Sequence, residues 1–115
     1  MNGLDPFRRR LDVLDEEIAR LLGERFEVCR EIARYKHAHH IPMMQPSRVA
    51  EVRARYLAQG AEVELPPDFT AALFELLIGA TCEMEDELIA AADAAVVTSA
   101  GGGPSAAAGH SRAET

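Results

Sequence analysis

The sequence of 115 residues lacks the features that mark several large classes of protein. No apolar run approaches the ~20 residues that a helix needs to cross a bilayer, and the chain opens without a basic and then apolar leader. It has neither an internal repeat nor a strand-like alternation of apolar and polar residues between hairpin turns. We therefore expect a cytoplasmic, all-α protein with no membrane partner.

Basic residues and cysteines are also few. Lys and Arg number 12 against 19 Asp and Glu, so the formal charge is −7. Because a nucleic-acid surface needs a net basic face, we expect no nucleic-acid partner. Cys29 and Cys82 lie in helical patterns among apolar neighbours, without C-x-x-C spacing or a secretory context. We expect both to be buried free thiols.

Candidate metal ligands are limited to a group of histidines, His37, His39 and His40. No Cys, Asp or Glu stands at ligand spacing beside them, and histidines in loops are usually just solvated. The chain also lacks a Gly-rich phosphate loop. We expect no metal site.

The longest pattern in the sequence predicts one helix over residues 4–36, ending before Pro42. Such a helix is about 50 Å long, whereas a domain of about 90 residues is roughly 30 Å across. The helix would overhang its own monomer, so its apolar stripe needs a second chain and we expect a homodimer. The stripe steps by threes and fours through Leu11, Leu14, Ile18, Leu21, Arg25, Val28, Ile32 and Tyr35.

Two further helices follow the first. The second is predicted from Pro46 to Gly60, and the third from about Pro67 to Ala92. We expect residues 1–92 to form one helical domain. The Ala-, Gly- and Ser-rich residues 93–115 are predicted to be a disordered tail. The fold class is therefore all-α, with a long, a short and a medium helix in each chain of the dimer.

Polar side chains interrupt these apolar stripes. Arg25 stands where a Leu is expected, and Lys36 returns to within about 20° of the same helix face. Thr81 and Glu85 lie four residues apart, beside the stripe of the third helix. Buried cations need a counter-charge, which is either Glu85, in an internal salt-bridge network, or a bound ligand. A pocket with several cations, one Thr and one Gln fits a small polycarboxylate.

Two arginines outside this group are further candidates. Arg48 follows Gln45 by three residues at the start of the second helix, so both can face one way, although Arg48 also fits a simple surface cation. Arg8 lies near the stripe of the first helix, but roughly two dozen ångströms along the axis from Arg25. One helix cannot bring Arg8 and Arg25 together, whereas two antiparallel copies can.

The ordered set of these residues resembles the all-helical (type II) chorismate mutase family over about residues 4–90. The strings IPMMQPSRV (41–49) and TCEMEDELI (81–89) are most similar to the 4-amino-4-deoxychorismate mutases of actinomycete antibiotic pathways. A more distant similarity is to the isochorismate pyruvate lyases. The residues that carry the family resemblance are Arg8, Arg25, Lys36, Arg48, Thr81 and Glu85.

The resemblance implies an intertwined, domain-swapped homodimer whose two sites use residues of both chains. Arg25, Lys36 and Arg48 would come from one subunit and Arg8 from the other. The implied substrate is a small dicarboxylate, either chorismate or its 4-amino-4-deoxy analogue. It would undergo a concerted [3,3] rearrangement to prephenate or 4-amino-4-deoxyprephenate, in aromatic amino-acid or antibiotic precursor biosynthesis. That reaction requires no general base, nucleophile or cofactor.

The resemblance also implies roles for individual side chains. Arg8 and Arg25 offer planar forks for carboxylates. Lys36 is the fixed positive charge for the ether oxygen, and Glu85 is a second donor, which requires a protonated carboxyl. The candidate catalytic residues are Arg25, Lys36 and Glu85, and the substrate-binding set adds Arg8, Gln45, Arg48 and Thr81.

The sequence departs from the family pattern near the C4 substituent of the substrate ring. Ordinary members carry a carboxylate where Gln45 stands and a Glu where Val49 stands, so chorismate and its 4-amino analogue are both candidate substrates. Two alternatives come from other classes of function. An isochorismate pyruvate lyase would use the same cations but release pyruvate. A non-catalytic helical dimerisation module would have no reason to place Arg25 and Lys36 on the stripe.

Overall fold

The computed structural model describes residues 3–42 and 45–100 of the chain. They form three α-helices, α1 (Asp5–Ala38), α2 (Pro46–Glu62) and α3 (Pro67–Ala100). The all-α fold class and the order of the three helices are thereby confirmed. α2 continues two residues past its predicted end at Gly60, and α3 continues eight residues past its predicted end at Ala92.

The long α3 changes where the predicted tail can begin. Residues 93–100 are helical and continue α3. Ala is the best helix former, and neither Gly nor Pro occurs in this segment to stop the helix. The rest of the predicted tail, residues 101–115, lies outside the described residues.

α1 and α2 end in the same way, with a residue in the left-handed region. After α1 this residue is His40, at φ 55°, and the Ile41 N–H donates to the Lys36 carbonyl at 2.9 Å. After α2 it is Glu64, at φ 60°, and the Leu65 N–H donates to the Gly60 carbonyl at 2.9 Å. Both are Schellman endings, which satisfy carbonyls at the helix C-terminus and turn the chain.

α3 is the central element, because it packs against both other helices. Within the described residues, the backbones of α1 and α2 do not pack against each other. The buried face of α1 is formed by Cys29, Ala33 and Lys36, and it therefore faces α3. The apolar core is small, consisting of Cys29, Ala33, Val52, Phe74, Leu77 and Cys82. Cys29 and Cys82 are buried thiols, which confirms that prediction.

The N-terminal half of α1 has no such cover in the single chain. Residues 3–20 are all exposed, although the apolar stripe runs through them. Seven large apolar side chains of this half are more than half exposed, namely Leu4, Phe7, Leu11, Val13, Leu14, Ile18 and Leu21. The length of the helix thus exceeds what its own chain can bury. No helix in the described ranges has the length and apolar character needed to cross a membrane.

Candidate active site

Three of the polar residues singled out in the sequence are deeply buried. Lys36 is 6% exposed, and both Thr81 and Glu85 are 0% exposed. Lys36 lies on the face of α1 that packs on α3, and the other two lie one turn apart on α3. The Thr81 hydroxyl donates to the Leu77 carbonyl at 2.9 Å, so its burial is compensated within the helix. A buried amine and a buried carboxyl therefore belong to the core of this small domain.

A groove of about 400 Å³ lies between α1 and α2 and brings Arg25 and Arg48 together. Its wall includes Cys29, which shares the buried face of α1 with Lys36 two turns further on. Cationic and apolar side chains thus line one concave surface, which suits a compact dicarboxylate. The lining residues are Arg25, Val28, Cys29, Ile32, Arg48, Val52, Arg55, Tyr56 and Gln59.

Arg25 is half-buried and contacts side chains of two helices. Its Nη1 lies 4.0 Å from Cys29 Sγ, one turn further along α1. Its guanidinium carbon lies 5.8 Å from the centre of the Tyr56 ring of α2, which is a cation–π distance. Arg25 lies one turn before Cys29, which belongs to the buried face of α1, and this position places its side chain beside the other helices.

Gln45 and Arg48 are positioned by the start of α2. Gln45 is the N-cap residue, and its carbonyl accepts from the N–H groups of Arg48 at 3.0 Å and Val49 at 3.2 Å. Its side-chain Nε2 donates to the Pro42 carbonyl at 3.3 Å. Arg48 Nη1 lies 3.0 Å from Glu51 Oε1. Arg48 lines the groove, whereas Gln45 is half-buried and holds the loop before α2.

Five of the predicted site residues do not line the groove of the single chain, namely Lys36, Gln45, Thr81, Glu85 and Arg8. Arg8 lies near the start of α1, away from the groove. Its side chain is 58% exposed, and its Nη1 lies 3.8 Å from Asp5 Oδ1 on the first turn of α1. Seventeen residues of straight helix separate it from Arg25, which is about 25 Å along the axis. Any role for Arg8 at this groove therefore requires a second copy of the chain.

Three residues of the groove that can bind a polar ligand were not among the predicted site residues: Arg55, Tyr56 and Gln59. Arg55 and Gln59 follow Arg48 by seven and eleven residues, which keeps all three on one face of α2. That spacing is visible in the sequence, but it does not show whether this face lines a groove or bulk solvent. Arg55 Nη2 also lies 3.9 Å from Glu51 Oε2, so Glu51 interacts with two of the groove arginines.

The histidines at the end of α1 have structural contacts. His37 Nε2 lies 2.9 Å from Asp93 Oδ1 of α3, and the His39 ring stacks on Tyr35 at 3.9 Å between centroids. His40 is the residue in the left-handed region. Among residues 3–42 and 45–100, no group of three or more His, Cys, Asp or Glu side chains is arranged to hold a metal ion.

The sequence profile described as chorismate mutase type II matches residues 7–86, well over half of the chain. The chain belongs to the type II chorismate mutase family. The matched segment includes Arg8 at one end and Glu85 at the other, so it contains every candidate site residue.

Relatives in the family support this membership. The chain is 39% identical to a 4-amino-4-deoxychorismate mutase of Streptomyces pristinaespiralis, over 81% of this chain and 72% of the relative. It is 36% identical to a 4-amino-4-deoxychorismate mutase of Streptomyces venezuelae, over 74% of this chain and 82% of the relative. It is also 29% identical to a bifunctional chorismate mutase/prephenate dehydratase of Aquifex aeolicus, over 76% of this chain but only 25% of that longer protein.

Family membership decides between the classes of function that the sequence left open. The protein is an isomerase that performs chorismate mutase-type catalysis. The lyase and the non-catalytic dimerisation module are not favoured by these relatives.

Proposed function

We propose that this protein catalyses the [3,3] rearrangement of 4-amino-4-deoxychorismate to 4-amino-4-deoxyprephenate, with chorismate as a poorer substrate. The observation that carries this proposal is a groove with Arg25 and Arg48 in its wall, together with a buried Lys36 two turns beyond the groove residue Cys29 on α1. The choice of the amino substrate rests on the two Streptomyces relatives. A place in antibiotic precursor biosynthesis would follow from that substrate.

The chemistry needs positioning and charge rather than proton transfer. In the rearrangement the ether C–O bond breaks while a C–C bond forms, and no proton leaves or enters the substrate. Arg25 binds one carboxylate through its planar fork, and Arg48 binds near the ring. Holding the two ends together keeps the substrate in the compact conformer from which it reacts.

Charge develops on the ether oxygen as the C–O bond breaks. Lys36 is the fixed positive charge for this oxygen, and its burial strengthens the interaction because little water screens it. A protonated Glu85 donates a second hydrogen bond to the same oxygen. Burial of Glu85 favours the neutral acid, whereas cations nearby favour the carboxylate. Thr81 lies one turn before Glu85 and is assigned to the same substrate-binding surface as Lys36 and Glu85.

The second carboxylate of the substrate is assigned to Arg8 of a partner chain in an intertwined, domain-swapped homodimer. The exposed stripe from Leu4 to Leu21 supports this assembly, since it is a long apolar surface with no cover in its own chain. An antiparallel partner helix would bury that stripe and bring its Arg8 to the groove of the first chain. Each dimer would then hold two equal sites.

Recognition at C4 is assigned to the start of α2. Gln45 and Val49 present an amide and an apolar side chain where ordinary members of the family present two acids. The Gln45 amide oxygen can accept a hydrogen bond from either an ammonium or a hydroxyl group. Gln45 is therefore expected to set the ratio between the two substrates rather than to exclude one.

The test is a comparison of substrates with product identification. The purified protein is incubated separately with 4-amino-4-deoxychorismate, chorismate and isochorismate, and the products are followed by mass spectrometry and a pyruvate assay. The proposal expects products of unchanged mass from the first two, with a higher kcat/KM for the amino substrate. Pyruvate release from isochorismate as the main reaction, or a higher kcat/KM for chorismate, would contradict it.

A further inference from the structure

Arg25 of α1 stands over an aromatic ring that belongs to α2. Its guanidinium carbon is 5.8 Å from the centre of the Tyr56 ring, and both residues line the groove. The backbones of the two helices do not pack against each other within the described residues. Side chains therefore carry the contact between α1 and α2 at this point, and the Arg25–Tyr56 pair is part of that contact.

Tyr56 is itself held by the core. Its ring meets Phe74 of α3 edge to face, with 5.3 Å between centroids and 69° between the planes. Phe74 is 2% exposed. A half-buried ring that packs on a buried one has little freedom to rotate. The position of Tyr56 is thus set by its packing on α3, and the Arg25 guanidinium lies over a ring that is held in place.

An aromatic face is a suitable support for a ligand-binding arginine. The face attracts the cation through its quadrupole and leaves the N–H donors at the edge of the guanidinium directed outwards. A carboxylate support would instead compete with the substrate for the same donors. Arg48 and Arg55 line the same groove and share one carboxylate, that of Glu51, so a net positive charge is left to repel Arg25. The ring opposes that repulsion without neutralising the site.

We infer that Tyr56 is a positioning residue of the active site, whose ring holds the Arg25 guanidinium in the orientation that receives a substrate carboxylate. This inference rests on the proposed function for its kinetic consequence. The contact itself does not, because it can be measured in the absence of any substrate. Tyr56 acts through Arg25 and is assigned no contact with the reacting atoms.

The kinetic test compares Tyr56→Leu with Tyr56→Phe. Leu keeps the apolar bulk but removes the ring, whereas Phe keeps the ring and removes only the hydroxyl. We expect Tyr56→Leu to raise KM by roughly 3- to 10-fold, the range of one partly exposed cation–π contact, with a much smaller change in kcat. We expect Tyr56→Phe to retain a KM close to that of the wild type. An equal rise in both variants would overturn the inference, because it would assign the effect to the hydroxyl.

Leu57→Ala is the matched control for a general loss of packing. Leu57 is half-buried on the same helix and does not line the groove. Its truncation should lower the melting temperature but leave KM unchanged. If Leu57→Ala raised KM as much as Tyr56→Leu, the effect of Tyr56 would be one of α2 stability, and the inference would be wrong.

A double-mutant cycle on unfolding, without substrate, tests the contact directly. Tyr56→Leu is measured in the wild type and in Arg25→Ala, by chemical denaturation of the purified full chain. We expect the shift in midpoint caused by Tyr56→Leu to be smaller in the Arg25→Ala background. Additive shifts would overturn the inference even if the wild type is an active mutase. Coupling with an inactive wild type would support the contact and refute only the proposed function.

Discussion

Gly60 of α2 and Thr70 of α3 lie so close that a Cβ on Gly60 would stand 2.6 Å from Thr70 Oγ1. Thr70 is buried, and its β-branched side chain has few alternative rotamers. The same hydroxyl donates to the Pro66 carbonyl at 3.3 Å at the start of α3. This close approach packs the C-terminal end of α2 against α3. It therefore helps to position α2, the helix that contains the site residues Arg48 and Tyr56.

Gly60→Ala should therefore destabilise the protein, although a helical Gly→Ala change is ordinarily favourable. We expect a loss of roughly 1–3 kcal/mol in the free energy of unfolding, as for overpacking of a tight contact. Gly23→Ala is the control, since nothing lies within 4 Å of a Cβ there and its position is opposite the α1 stripe. It should gain about 0.5–1 kcal/mol. Denaturant unfolding measures both.

Relief of the contact offers a second check on this interpretation. Thr70→Ala removes the two atoms that a Cβ on Gly60 would meet at the shortest distances, Oγ1 at 2.6 Å and Cγ2 at 3.0 Å. In the Gly60→Ala background it should restore part of the lost stability. Strictly additive losses would show that the two positions do not clash.

Removal of the Lys36 charge should strongly reduce the rate of the chemical step. Both Lys36→Ala and Lys36→Met remove the buried charge, and Met keeps most of the side-chain volume. We expect kcat to fall by about 100- to 1000-fold in each variant, by analogy with the loss of one oxyanion-hole donor. Steady-state kinetics with circular dichroism as a folding control measures this. A near-normal kcat in the folded Met variant would remove Lys36 from the mechanism.

Glu85 should make the rate depend on pH. Only the protonated carboxyl can donate to the ether oxygen, so kcat should fall as pH rises through the pKa of Glu85. Glu85→Gln carries a donor amide at every pH and should flatten the profile over the same range. Glu83→Gln changes an exposed carboxylate of the same helix and should leave the wild-type profile. If Glu85→Gln kept the wild-type pH dependence, Glu85 would not be the donor.

Arg55 should contribute to substrate binding, because it lines the groove with Arg25 and Arg48. Its side chain is 46% exposed, so solvent weakens the interaction and we expect Arg55→Ala to raise KM by only about 3- to 10-fold. Arg53 is the matched control. It is also exposed on α2, but its Nε lies 3.8 Å from Glu75 Oε1 of α3 and it does not line the groove. Equal KM effects of Arg53→Ala and Arg55→Ala would indicate long-range attraction of the substrate rather than contact.

The helices were predictable because each carries apolar residues at the helical period between recognisable start and stop signals. The starts at Pro46 and Pro67 agree with the structure. The end of α3 was not predictable, since the composition after Ala92 is equally typical of a tail. The helix continues past Ala92 because Ala has a high helix propensity and because Asp93 contacts His37 of α1. A tertiary contact of this kind cannot be seen in a local sequence pattern.

The candidate site was predictable only in part, because contacts between helices are not visible in a local sequence pattern. Arg25, Lys36 and Glu85 stand out because a polar residue in or beside an apolar stripe needs a partner. Arg55 does not stand out, because it lies on a polar helix face. Periodicity alone cannot show that this face lines a groove rather than bulk solvent. The sequence predicts Gly60 to be a helix stop, but the structure assigns it to close packing inside α2.

Complementation between two inactive variants tests most directly the claim that each site needs two chains. Arg8→Ala and Arg25→Ala should each be nearly inactive alone, since every site then lacks one of the two guanidinium groups that bind the substrate carboxylates. In a mixed dimer, one site combines Arg25 of one chain with Arg8 of the other and is complete, while the second site lacks both.

The decisive measurement is therefore kcat per chain after the two inactive variants are unfolded together and refolded at equal concentration. Random pairing makes about half of the dimers mixed with one intact site each, so about a quarter of wild-type activity should return. The separately refolded variants are the control. Activity of the mixture no greater than the mean of the two variants would contradict a shared site, and with it the proposed roles of Arg8 and of the α1 stripe.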